Sequence, residues 1–586
     1  MRKRRIIGWL LFCSFCLGVL LVRLMEIQLF RTETFSKHHI NLLEESVKQR
    51  SQELVIDNGR GNFHDRNGSP LVNKKISVLV MFPFLKKMEW DIEKVADILK
   101  IPSPLIKSKV DQAKKPFVFA AEQSPLELSP KQAEGINALQ IPGVFAIEKS
   151  FERSIFPAEQ LIGIVGENPG ELERRYPNKK LPEKTLIGIS GLEQSFDEFL
   201  LPDGKSKLIY HVDGTGASLY GTDVRYVDPA NPFYPVNVRT TIDKEIQEQT
   251  ENLVDSFKIK KGGLILLNLT DNSILAMVSR PAVVKINPYQ QSGITNMMVK
   301  QQIIGSIFKT VTAAAAIDYN LVTPSRLFDC SKKINGEPEL VYNYGMLNFS
   351  DSFARSCNHT FGQLAQELKN IDPKILDNYA HKLSLIGPVG WEGSVFHINH
   401  FKQISDEEFG RVFLKSSEQT DANFAAQSGI GQHEVRATPL AVANMMATIA
   451  RGGKKEMVRA VTKIEYKNGS TMIDFPEKNM PGESISPFIA MRLQKLLREV
   501  VVNENGTGRW FQNLPYEVAG KSGTAETGKF EKGLQLHNKW FAGYFPYHQP
   551  KYALVAVNLD VLDNEPGVNQ LFAEVVKMLY RYDKKR

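Results

Sequence analysis

The sequence predicts an α+β protein of more than one domain, attached to a single apolar helix at its N-terminus. Its 586 residues are too many for one ordinary domain. Short strand-like and helix-like segments are mixed along most of its length, as in α+β folds. One long uncharged run lies within the first thirty residues, and no second run of that length follows. These three observations favour one membrane span and a large folded portion beyond it.

Composition indicates a folded protein and argues against several classes of function. Hydrophobic residues make up 42% of the chain and charged residues 24%, as in globular proteins. The net charge of +8 is small for this length and does not indicate nucleic-acid binding. No zinc-finger spacing, Walker loop or basic repeat with interleaved aromatic residues occurs. We therefore expect no nucleic-acid partner. We also expect no metal and no organic cofactor, because no cluster of His, Cys and carboxylate residues has ligand spacing.

The N-terminal segment has the pattern of a membrane anchor. Residues 1–5 are basic after Met1, and the 17 uncharged residues 6–22 follow them. As a helix this run spans about 26 Å, slightly less than a bilayer core of roughly 30 Å. Arg23 can extend its charge to the interface, which lets the apolar segment continue to Met25. We predict a cytoplasmic tail over residues 1–5, a transmembrane helix over 6–25, and the rest of the chain outside the cytoplasm.

A cleaved signal peptide is the alternative for this segment. Signal peptides end in small residues around the cleavage site. This run instead ends Leu20-Leu21-Val22, followed directly by Arg23. We therefore favour an uncleaved, single-pass anchor.

The four cysteines form two pairs along the chain. Cys13 and Cys16 lie inside the apolar run and cannot cross-link the external part. Cys330 and Cys357 lie in that external part, where an oxidising compartment permits a disulfide. Spacing in the sequence does not establish a bridge, and we expect two free thiols.

A loop-like stretch at residues 228–235 divides the external part. The region before it, residues 26–230, mixes short strands and helices without a convergent set of nucleophile, base and acid. In the region after it, residues 231–586, the segments 263–268 and 273–278 predict a β-hairpin. We predict one domain in each region, with the chemistry in the second.

A Ser-x-x-Lys motif follows this hairpin. Ser306 and Lys309 lie at the start of an alanine-rich run that favours a helix, which places them one turn apart and close enough to touch. A serine hydroxyl becomes nucleophilic when a neighbouring base takes its proton. A lysine becomes such a base when burial and nearby positive charge lower its pKa. A lone match is better explained by an ordinary helix start with a surface lysine, so the interpretation depends on further motifs.

Two further motifs occur downstream. A Ser-Cys-Asn motif occupies residues 356–358, and a Lys-Ser-Gly-Thr-Ala segment occupies residues 521–525. The second segment is glycine-rich and alternating, like a strand whose backbone a ligand approaches closely. Ser-x-x-Lys, Ser-x-Asn and Lys-Ser/Thr-Gly in this order are typical of penicillin-binding proteins and serine β-lactamases. Chance explains each motif alone but not the ordered set.

The wider sequence resembles the class B penicillin-binding proteins. This resemblance rests on segments spread from the anchor almost to the C-terminus: 60–61, 65–68, 191–193, 241–243, 429–432, 438–440 and 506–508. It implies a non-catalytic pedestal (dimerisation-type) domain over residues 26–230. It further implies a penicillin-binding, β-lactamase-like transpeptidase domain over 231–586, with helices on both faces of an antiparallel five-stranded sheet. The implied location is the bacterial cell membrane.

The resemblance implies peptidoglycan cross-linking by D,D-transpeptidation. Ser306 would attack the D-Ala-D-Ala carbonyl of a stem peptide and form an acyl-enzyme, with Lys309 as the general base. Ser356 would relay a proton to the leaving amine, and Asn358 would hold the substrate amide. β-Lactams would acylate the same serine.

The implied substrate-binding strand consists of Lys521, Ser522, Gly523, Thr524 and Ala525. Within it, Lys521 and Thr524 would bind the terminal carboxylate. The backbone N–H of Ala525 would form the oxyanion hole together with that of the nucleophilic serine.

Two departures from the family pattern stand out. The family often has proline where this chain has Ile304, and threonine is commoner where it has Ser522. The small hydroxyl of Ser522 is a mild change, so we still expect activity, with a substrate or β-lactam preference that can differ from that of other members. Residues 31–230 contain no motif of the glycosyltransferase domain that class A members carry. The resemblance to the family then implies a separate membrane glycan polymerase as partner.

Two other functions remain as alternatives. A D,D-carboxypeptidase or β-lactamase-type hydrolase would pass the acyl group to water instead of to an amine. A scaffold that binds penicillin without turnover would need the same fold but not the complete motif set, which this chain retains.

Overall fold

The computed structural model describes residues 2–35, 41–43, 45–46, 51–121, 124–179, 181–213, 224–229, 231–284 and 287–585. The chain forms two compact units. The first comprises Met1–Arg60, Asn73–Glu152 and Pro202–Tyr234, and the second comprises Gly61–Val72, Arg153–Leu201 and Pro235–Arg586. Because segments of the two units alternate along the chain, no single position in the sequence separates them. The predicted domain boundary at residues 230 and 231 therefore stays a prediction.

The regular elements mix helices and strands, as the sequence predicts. The α-helices are α1 Arg2–Met25, α2 Ile92–Leu99, α3 Ser103–Gln112, α4 Pro130–Ala138, α5 Glu159–Ile162, α6 Pro169–Arg175, α7 Gly191–Ser195, α8 Asp197–Leu200, α9 Lys244–Ser256, α10 Lys309–Asp318, α11 Phe349–Ala354, α12 Asn358–Ile371, α13 Ile375–Lys382, α14 Ala422–Gly429, α15 Pro439–Ala450, α16 Pro487–Val502 and α17 Asn569–Lys585. The strands are β1 Ser51–Asp57, β2 Asn62–His64, β3 Asn73–Met81, β4 Phe117–Val118, β5 Val144–Glu152, β6 Val165–Glu167, β7 Leu186–Gly188, β8 Ser206–His211, β9 Arg225–Val227, β10 Asn237–Thr240, β11 Gly262–Asn268, β12 Ser273–Arg280, β13 Gln302–Ile303, β14 Leu327–Asp329, β15 Met346–Asn348, β16 Glu392–Val395, β17 Ile398–Lys402, β18 Arg436–Ala437, β19 Val461–Glu465, β20 Thr471–Asp474, β21 Ala519–Glu531, β22 Leu534–Phe545 and β23 Tyr552–Leu562.

The N-terminal helix α1 is longer than the predicted span. Its 24 residues correspond to about 36 Å of helix, and its large apolar side chains are exposed. Within the described residues, Lys3–Phe30 is the one helical segment long and apolar enough to cross a membrane, by length and composition. This agrees with a single-pass anchor.

The rest of the first unit is built from two three-stranded antiparallel sheets, ordered β4–β3–β5 and β1–β8–β9. Helices α2, α3 and α4 pack on the β3 sheet through a core that includes Leu79 and Val95. Alternate residues of β3, such as Val78 and Val80, pack instead with Leu208 of β8, as the period of two in a strand requires. The unit is thus mixed α/β.

A five-stranded sheet forms the centre of the second unit. Its strand order is β12–β11–β23–β22–β21, and every neighbouring pair is antiparallel. Helices α9 and α17 cover one face through a core that contains Ile246, Leu264 and Phe572. Helix α15 packs against β11, β22 and β23, where the alternate residues Ile265 and Val555 are also fully buried. The predicted sheet with helices on both faces is confirmed.

Segments from the first third of the chain also belong to the second unit. Strand β2 pairs in parallel with β10 in the four-stranded sheet β2–β10–β19–β20. Phe196, between α7 and α8, packs edge-on against Phe401 and Phe475, with ring centroids 5.0 and 5.7 Å away. These contacts explain why residues 153–201 join this unit.

Candidate active site

The predicted nucleophile lies in a tight turn beside the edge strand of the sheet. Gly305–Phe308 forms a single 3₁₀ turn, which we call the nucleophile turn, and α10 begins directly after it. Ser306 is half-buried between buried neighbours. Gly305 has φ +54°, and a Cβ atom there would lie 2.2 Å from the carbonyl oxygen of Thr524. Only glycine therefore allows the turn to approach β21 this closely.

A second glycine supports the nucleophile turn from the opposite side. The backbone N–H of Gly305 donates to the carbonyl oxygen of Gly431 at 3.0 Å. Gly431 itself has φ +79°, and a Cβ atom there would lie 1.8 Å from the Gly305 carbonyl oxygen. The Gly-Ile-Gly-Gln segment at residues 429–432 thus holds the nucleophile by backbone contact.

Lys309 is completely buried at the first position of α10. Its Nζ donates to the Ser356 carbonyl oxygen at 2.6 Å, to Asn358 Oδ1 at 2.7 Å and to Ser356 Oγ at 3.0 Å. Burial, and then the positive charge of Lys521, hold the pKa of Lys309 well below its usual value. The lowered pKa favours the neutral amine, which is the form in which a lysine acts as a base.

The second motif occupies the turn between α11 and α12, residues 355–358, which we call the second-motif turn. Ser356 has φ +61°, a conformation that is uncommon for residues other than glycine. Backbone hydrogen bonds from Ser356 N–H to Phe353 and from Cys357 N–H to Ser352 hold it there, at 3.1 and 2.8 Å. Ser356 Oγ thereby lies 3.0 Å from the Nζ atom of both Lys309 and Lys521.

Lys521 of β21 is also completely buried. Its Nζ donates to Ser356 Oγ at 3.0 Å and to the Ser522 carbonyl oxygen at 3.1 Å. Burial lowers the pKa of Lys521 to about 7. Side chains alternate between the two faces of a strand. Ser522, Thr524 and Glu526, which alternate with Lys521, line a cavity beside β21.

The structure brings most of the predicted site residues together. Lys309, Ser356, Asn358 and Lys521 form one hydrogen-bonded cluster.

Ser306 borders the cavity that is also lined by β21. This cavity has a volume of about 450 Å³, and we call it the active-site cavity. Its other wall residues include Ser356, Asn358, Ser522 and Thr524. Gly523 and Ala525 are buried within β21 beside the nucleophile turn.

The hydrogen bonds of the Lys309 side chain are directed to the second motif and not to Ser306. Ser306 and Lys309 lie one turn apart, but within the described residues no hydrogen bond joins their side chains. The three hydrogen bonds of the lysine go to Ser356 and Asn358 instead. In this state the Ser356 hydroxyl is the immediate proton partner of Lys309.

Thr507 is a site residue that motif reasoning did not single out. The hydroxyl of Ser522 donates to Thr507 Oγ1 at 2.8 Å, and the Thr507 N–H donates to the Ala354 carbonyl oxygen at 3.0 Å. Thr507 thus connects the third motif to the helix that precedes the second-motif turn. Its only signal in the sequence is its place in the Gly-Thr-Gly segment at residues 506–508.

The expectation of two free thiols outside the anchor is wrong. Cys330 and Cys357 form a disulfide with a Cα–Cα distance of 5.9 Å, within the usual range. Both are buried in the wall of the active-site cavity. The β14–β15 hairpin and the second-motif turn meet only in the folded chain, so the spacing of 27 residues could not reveal the bridge.

Comparison with protein families gives two matches. Residues 262–577 match the penicillin-binding protein transpeptidase domain, and residues 55–230 match the penicillin-binding protein dimerisation domain. Among curated relatives, the peptidoglycan D,D-transpeptidase FtsI of Buchnera aphidicola is 23% identical over 558 aligned positions, covering 88% of this chain and 84% of the relative. The peptidoglycan D,D-transpeptidase MrdA of Haemophilus influenzae is 23% identical over 627 positions, covering 96% and 89%.

Solved structures share the fold. A chain from the study "Structural coordination of polymerization and crosslinking by a peptidoglycan synthase complex" aligns with a TM-score of 0.64 at 20% identity and covers 97% of both chains. Penicillin-binding protein 2B from Streptococcus pneumoniae aligns with a TM-score of 0.59 at 18% identity, covering 90% of this chain and 99% of that one. Since the transpeptidase-domain match alone spans more than half of the sequence, the chain belongs to the penicillin-binding protein transpeptidase family, in its class B branch.

Proposed function

We propose that this protein cross-links peptidoglycan by D,D-transpeptidation, with Ser306 as the acylated nucleophile. The observation that carries the proposal is the hydrogen-bonded cluster of Lys309, Ser356, Asn358 and Lys521, whose two lysines are fully buried, beside the cavity that Ser306 borders. Such a cluster provides a low-pKa base, a relay hydroxyl and a cation within one site. The relatives named above carry the same activity in their names.

We assign the acylation step to these residues. Ser306 Oγ bonds to the carbonyl carbon of the penultimate D-alanine, and Lys309 Nζ accepts the proton that the serine loses. Ser356 gives its own proton to the amine of the departing D-alanine as the C–N bond breaks, and Lys309 returns a proton to Ser356. The relay needs no large movement, because Ser356 Oγ is already 3.0 Å from Lys309 Nζ.

The substrate-binding roles fit the edge strand. Lys521 and Thr524 bind the terminal carboxylate, and Asn358 holds the peptide amide. The N–H groups of Ser306 and Ala525 form the oxyanion hole, where loss of one donor usually costs about 3 kcal/mol. Because the pKa of Lys521 is about 7 in the empty site, an arriving carboxylate favours its charged form.

The amine of a second stem peptide then releases the acyl group and completes the cross-link. Hydrolysis of the same acyl-enzyme would instead make the protein a D,D-carboxypeptidase or a β-lactamase-type hydrolase. A scaffold would stop at penicillin binding. All three alternatives share the same site, so they differ only in the fate of the acyl group.

We also propose a membrane arrangement for the activity. Helix α1 is a single-pass anchor in the bacterial cell membrane with a short cytoplasmic N-terminus, residues 26–230 form a pedestal, and residues 231–586 form an extracytoplasmic transpeptidase domain. A separate membrane glycan polymerase supplies the strands. Protease added to cells stripped of their wall checks this topology, because it should digest an external domain and leave a cytoplasmic one intact.

Labelling of the full chain in detergent with a fluorescent penicillin tests the acyl-enzyme. We expect a covalent band in the wild type and none in Ser306→Ala. A folded wild type without a band would contradict the catalytic assignment. Incubation with a D-Ala-D-Ala pentapeptide and an acceptor amine then separates the three fates: a joined product, a shortened peptide, or no turnover.

A further inference from the structure

One cation in the wall of the active-site cavity has no role in the proposed reaction. Arg355 precedes Ser356 in the second-motif turn and is half-buried where it borders the cavity. Its Nε is buried and has no hydrogen-bond partner among the residues that the structure describes. Within the described residues, its guanidinium forms no ion pair and no hydrogen bond.

The other cations at the cavity are already engaged. Lys309 and Lys521 hydrogen-bond to the second-motif turn and to β21, as described above. Lys332, another wall residue, pairs with Asp329 at 3.0 Å. Arg355 therefore differs from each of them in having its hydrogen-bonding capacity unused.

Acidic residues of the wall do not neutralise Arg355. Glu339, Glu526 and Asp563 all border the cavity, yet among the described residues none lies within ion-pair distance of the guanidinium. Glu339 instead accepts backbone N–H groups from Val341 and Tyr342, at 3.0 and 3.3 Å. A partly buried, unpaired guanidinium carries a desolvation cost that an arriving anion would relieve.

The position of Arg355 is fixed by its neighbours. Its guanidinium carbon lies 5.3 Å from the centroid of the Tyr344 ring, within the range of a cation–π contact. Tyr344 in turn packs against Cys330 and Cys357 of the disulfide. The cross-linked wall thus holds the arginine in place before a ligand binds, which lowers the entropic cost of binding.

We propose that Arg355 binds a second carboxylate of the stem peptide, on the side chain of the residue that precedes D-Ala-D-Ala. This inference rests on the proposed function. The terminal carboxylate is assigned to Lys521 and Thr524 on the sheet edge, whereas Arg355 lies on the α11–α12 side. A cavity of about 450 Å³ has the size of a site for a few residues, so the nearest upstream carboxylate is the one within reach. The planar fork of an arginine donates two hydrogen bonds to a carboxylate, whereas a carboxamide offers it one acceptor oxygen and no charge.

The test compares two synthetic pentapeptides that end in D-Ala-D-Ala and differ only in the third side chain, which carries a carboxylate or a carboxamide. D-Alanine release is measured as kcat/KM with a constant concentration of acceptor amine. We expect the wild type to prefer the carboxylate peptide by about ten- to hundredfold, the usual effect of a hydrogen bond to a charged group. In Arg355→Gln this preference should disappear, mainly through slower turnover of the carboxylate peptide.

Lys332→Gln is the matched control, because it removes a cavity-wall cation that already has a carboxylate partner. It should keep the wild-type preference. Arg355→Met, which retains an unbranched stem over the Tyr344 ring, replaces Arg355→Gln if the latter does not fold, with the same expected loss of preference.

Three results would overturn the inference. These are a wild type that turns over both peptides equally, an Arg355 variant that keeps the preference, and an Arg355 variant that slows both peptides equally. The last would assign Arg355 to the terminal carboxylate or to the shape of the second-motif turn. Penicillin labelling distinguishes failure of the proposed function from failure of this inference alone. An unlabelled, folded wild type overturns the proposed function together with the inference, whereas a labelled wild type without a preference overturns the inference alone.

Discussion

The two walls of the active-site cavity are held by different kinds of contact. The nucleophile turn is fixed by close backbone approach, since Gly305 and Gly431 leave no room for a Cβ atom. The second-motif turn is fixed by a disulfide at Cys357 and by a left-handed Ser356 that meets two buried lysines. One wall is therefore sensitive to a single added methyl group, and the other to loss of a covalent cross-link or a buried cation.

This difference indicates which contacts should affect the stability of the protein and which should affect its catalysis. The backbone contacts of the nucleophile turn are structural and catalytic at once, because they place Ser306. The disulfide joins Cys357 of the second-motif turn to Cys330 and takes no part in the proposed proton transfers, so removing it should weaken the fold more than the chemistry. The lysine cluster lies between the walls and should affect chemistry most.

The largest effect is expected from Lys309→Met, which removes the base between the two walls. Methionine fills a similar volume in a site that is fully buried, so the protein should still fold. Acylation by fluorescent penicillin should slow by about 100- to 10,000-fold, the usual contribution of a positioned base. Lys455→Met is the control, because Lys455 is also buried but donates to Pro481 at 3.1 Å, outside the active-site cavity. Equal rates for the two variants would show that Lys309 is not the base.

Removing the disulfide at the second-motif turn should lower the free energy of unfolding by about 3 kcal/mol. The bridge closes a loop over a separation of 27 residues, and the stabilisation of cross-links of this length is of that order. The double variant Cys330→Ala with Cys357→Ala should therefore melt at a lower temperature in detergent, as should the wild type with a reductant. The corresponding double variant at Cys13 and Cys16, which are free, should melt like the wild type and stay sensitive to the reductant. A wild type whose melting ignores the reductant would contradict the bridge.

Gly431→Ala tests the close backbone contact that holds the nucleophile turn. Its methyl group would lie 1.8 Å from the Gly305 carbonyl oxygen at a φ of +79°, so the nucleophile turn must move. We expect a loss of about 2 kcal/mol in stability and slower acylation. Gly452→Ala is the matched control, because Gly452 has φ +70° but nothing within 4 Å of the added atom. It should show only the backbone cost of about 1 kcal/mol, with unchanged acylation. Similar losses in both variants would mean that the close contact with Gly305 is unimportant.

Local sequence patterns predicted the elements that depend on neighbours in the chain. The hairpin predicted from residues 263–268 and 273–278 is observed as β11 and β12, with small extensions. The alanine run following Ser306 forms α10, and the glycine-rich segment containing Lys521 forms β21. In each, periodicity or propensity within a few residues determines the backbone.

Contacts between distant segments could not be predicted in the same way. Cys330 meets Cys357 only because a hairpin and a helical turn pack together, and motif spacing says nothing about that packing. The sequence did not indicate a role for Arg355 for the same reason, because its lack of a hydrogen-bond partner among the described residues depends on how the cavity wall packs. The membership of residues 153–201 in the second unit depends on aromatic contacts such as Phe196 with Phe475.

The pH dependence of stability distinguishes a buried neutral lysine from a surface one. The folded-state pKa of Lys521 is about 7, below the value near 10.4 of an exposed lysine. Between these values the unfolded chain binds more protons than the folded one, so stability rises with pH in this window. Between about pH 8 and pH 9 the free energy of unfolding of the wild type should rise by about 1 kcal/mol more than that of Lys521→Met. Denaturant unfolding in detergent measures both. Parallel curves for the two proteins would mean that Lys521 is charged when buried.

The smallest effect is expected at the contact that joins the third motif to the second-motif side. Thr507→Val removes the acceptor of the Ser522 hydroxyl, a hydrogen bond of 2.8 Å, and should cost about 1 kcal/mol and slow acylation only a few-fold. Thr323→Val, which alters an exposed threonine with a 3.4 Å contact to Ser325, should leave both quantities unchanged. Ser522→Thr keeps the hydroxyl and should match the wild type, whereas Ser522→Ala should match Thr507→Val, because each removes one end of the same bond. If Ser522→Ala were neutral while Thr507→Val slowed acylation, the connection between the motifs would instead depend on Thr507 and its backbone bond to Ala354.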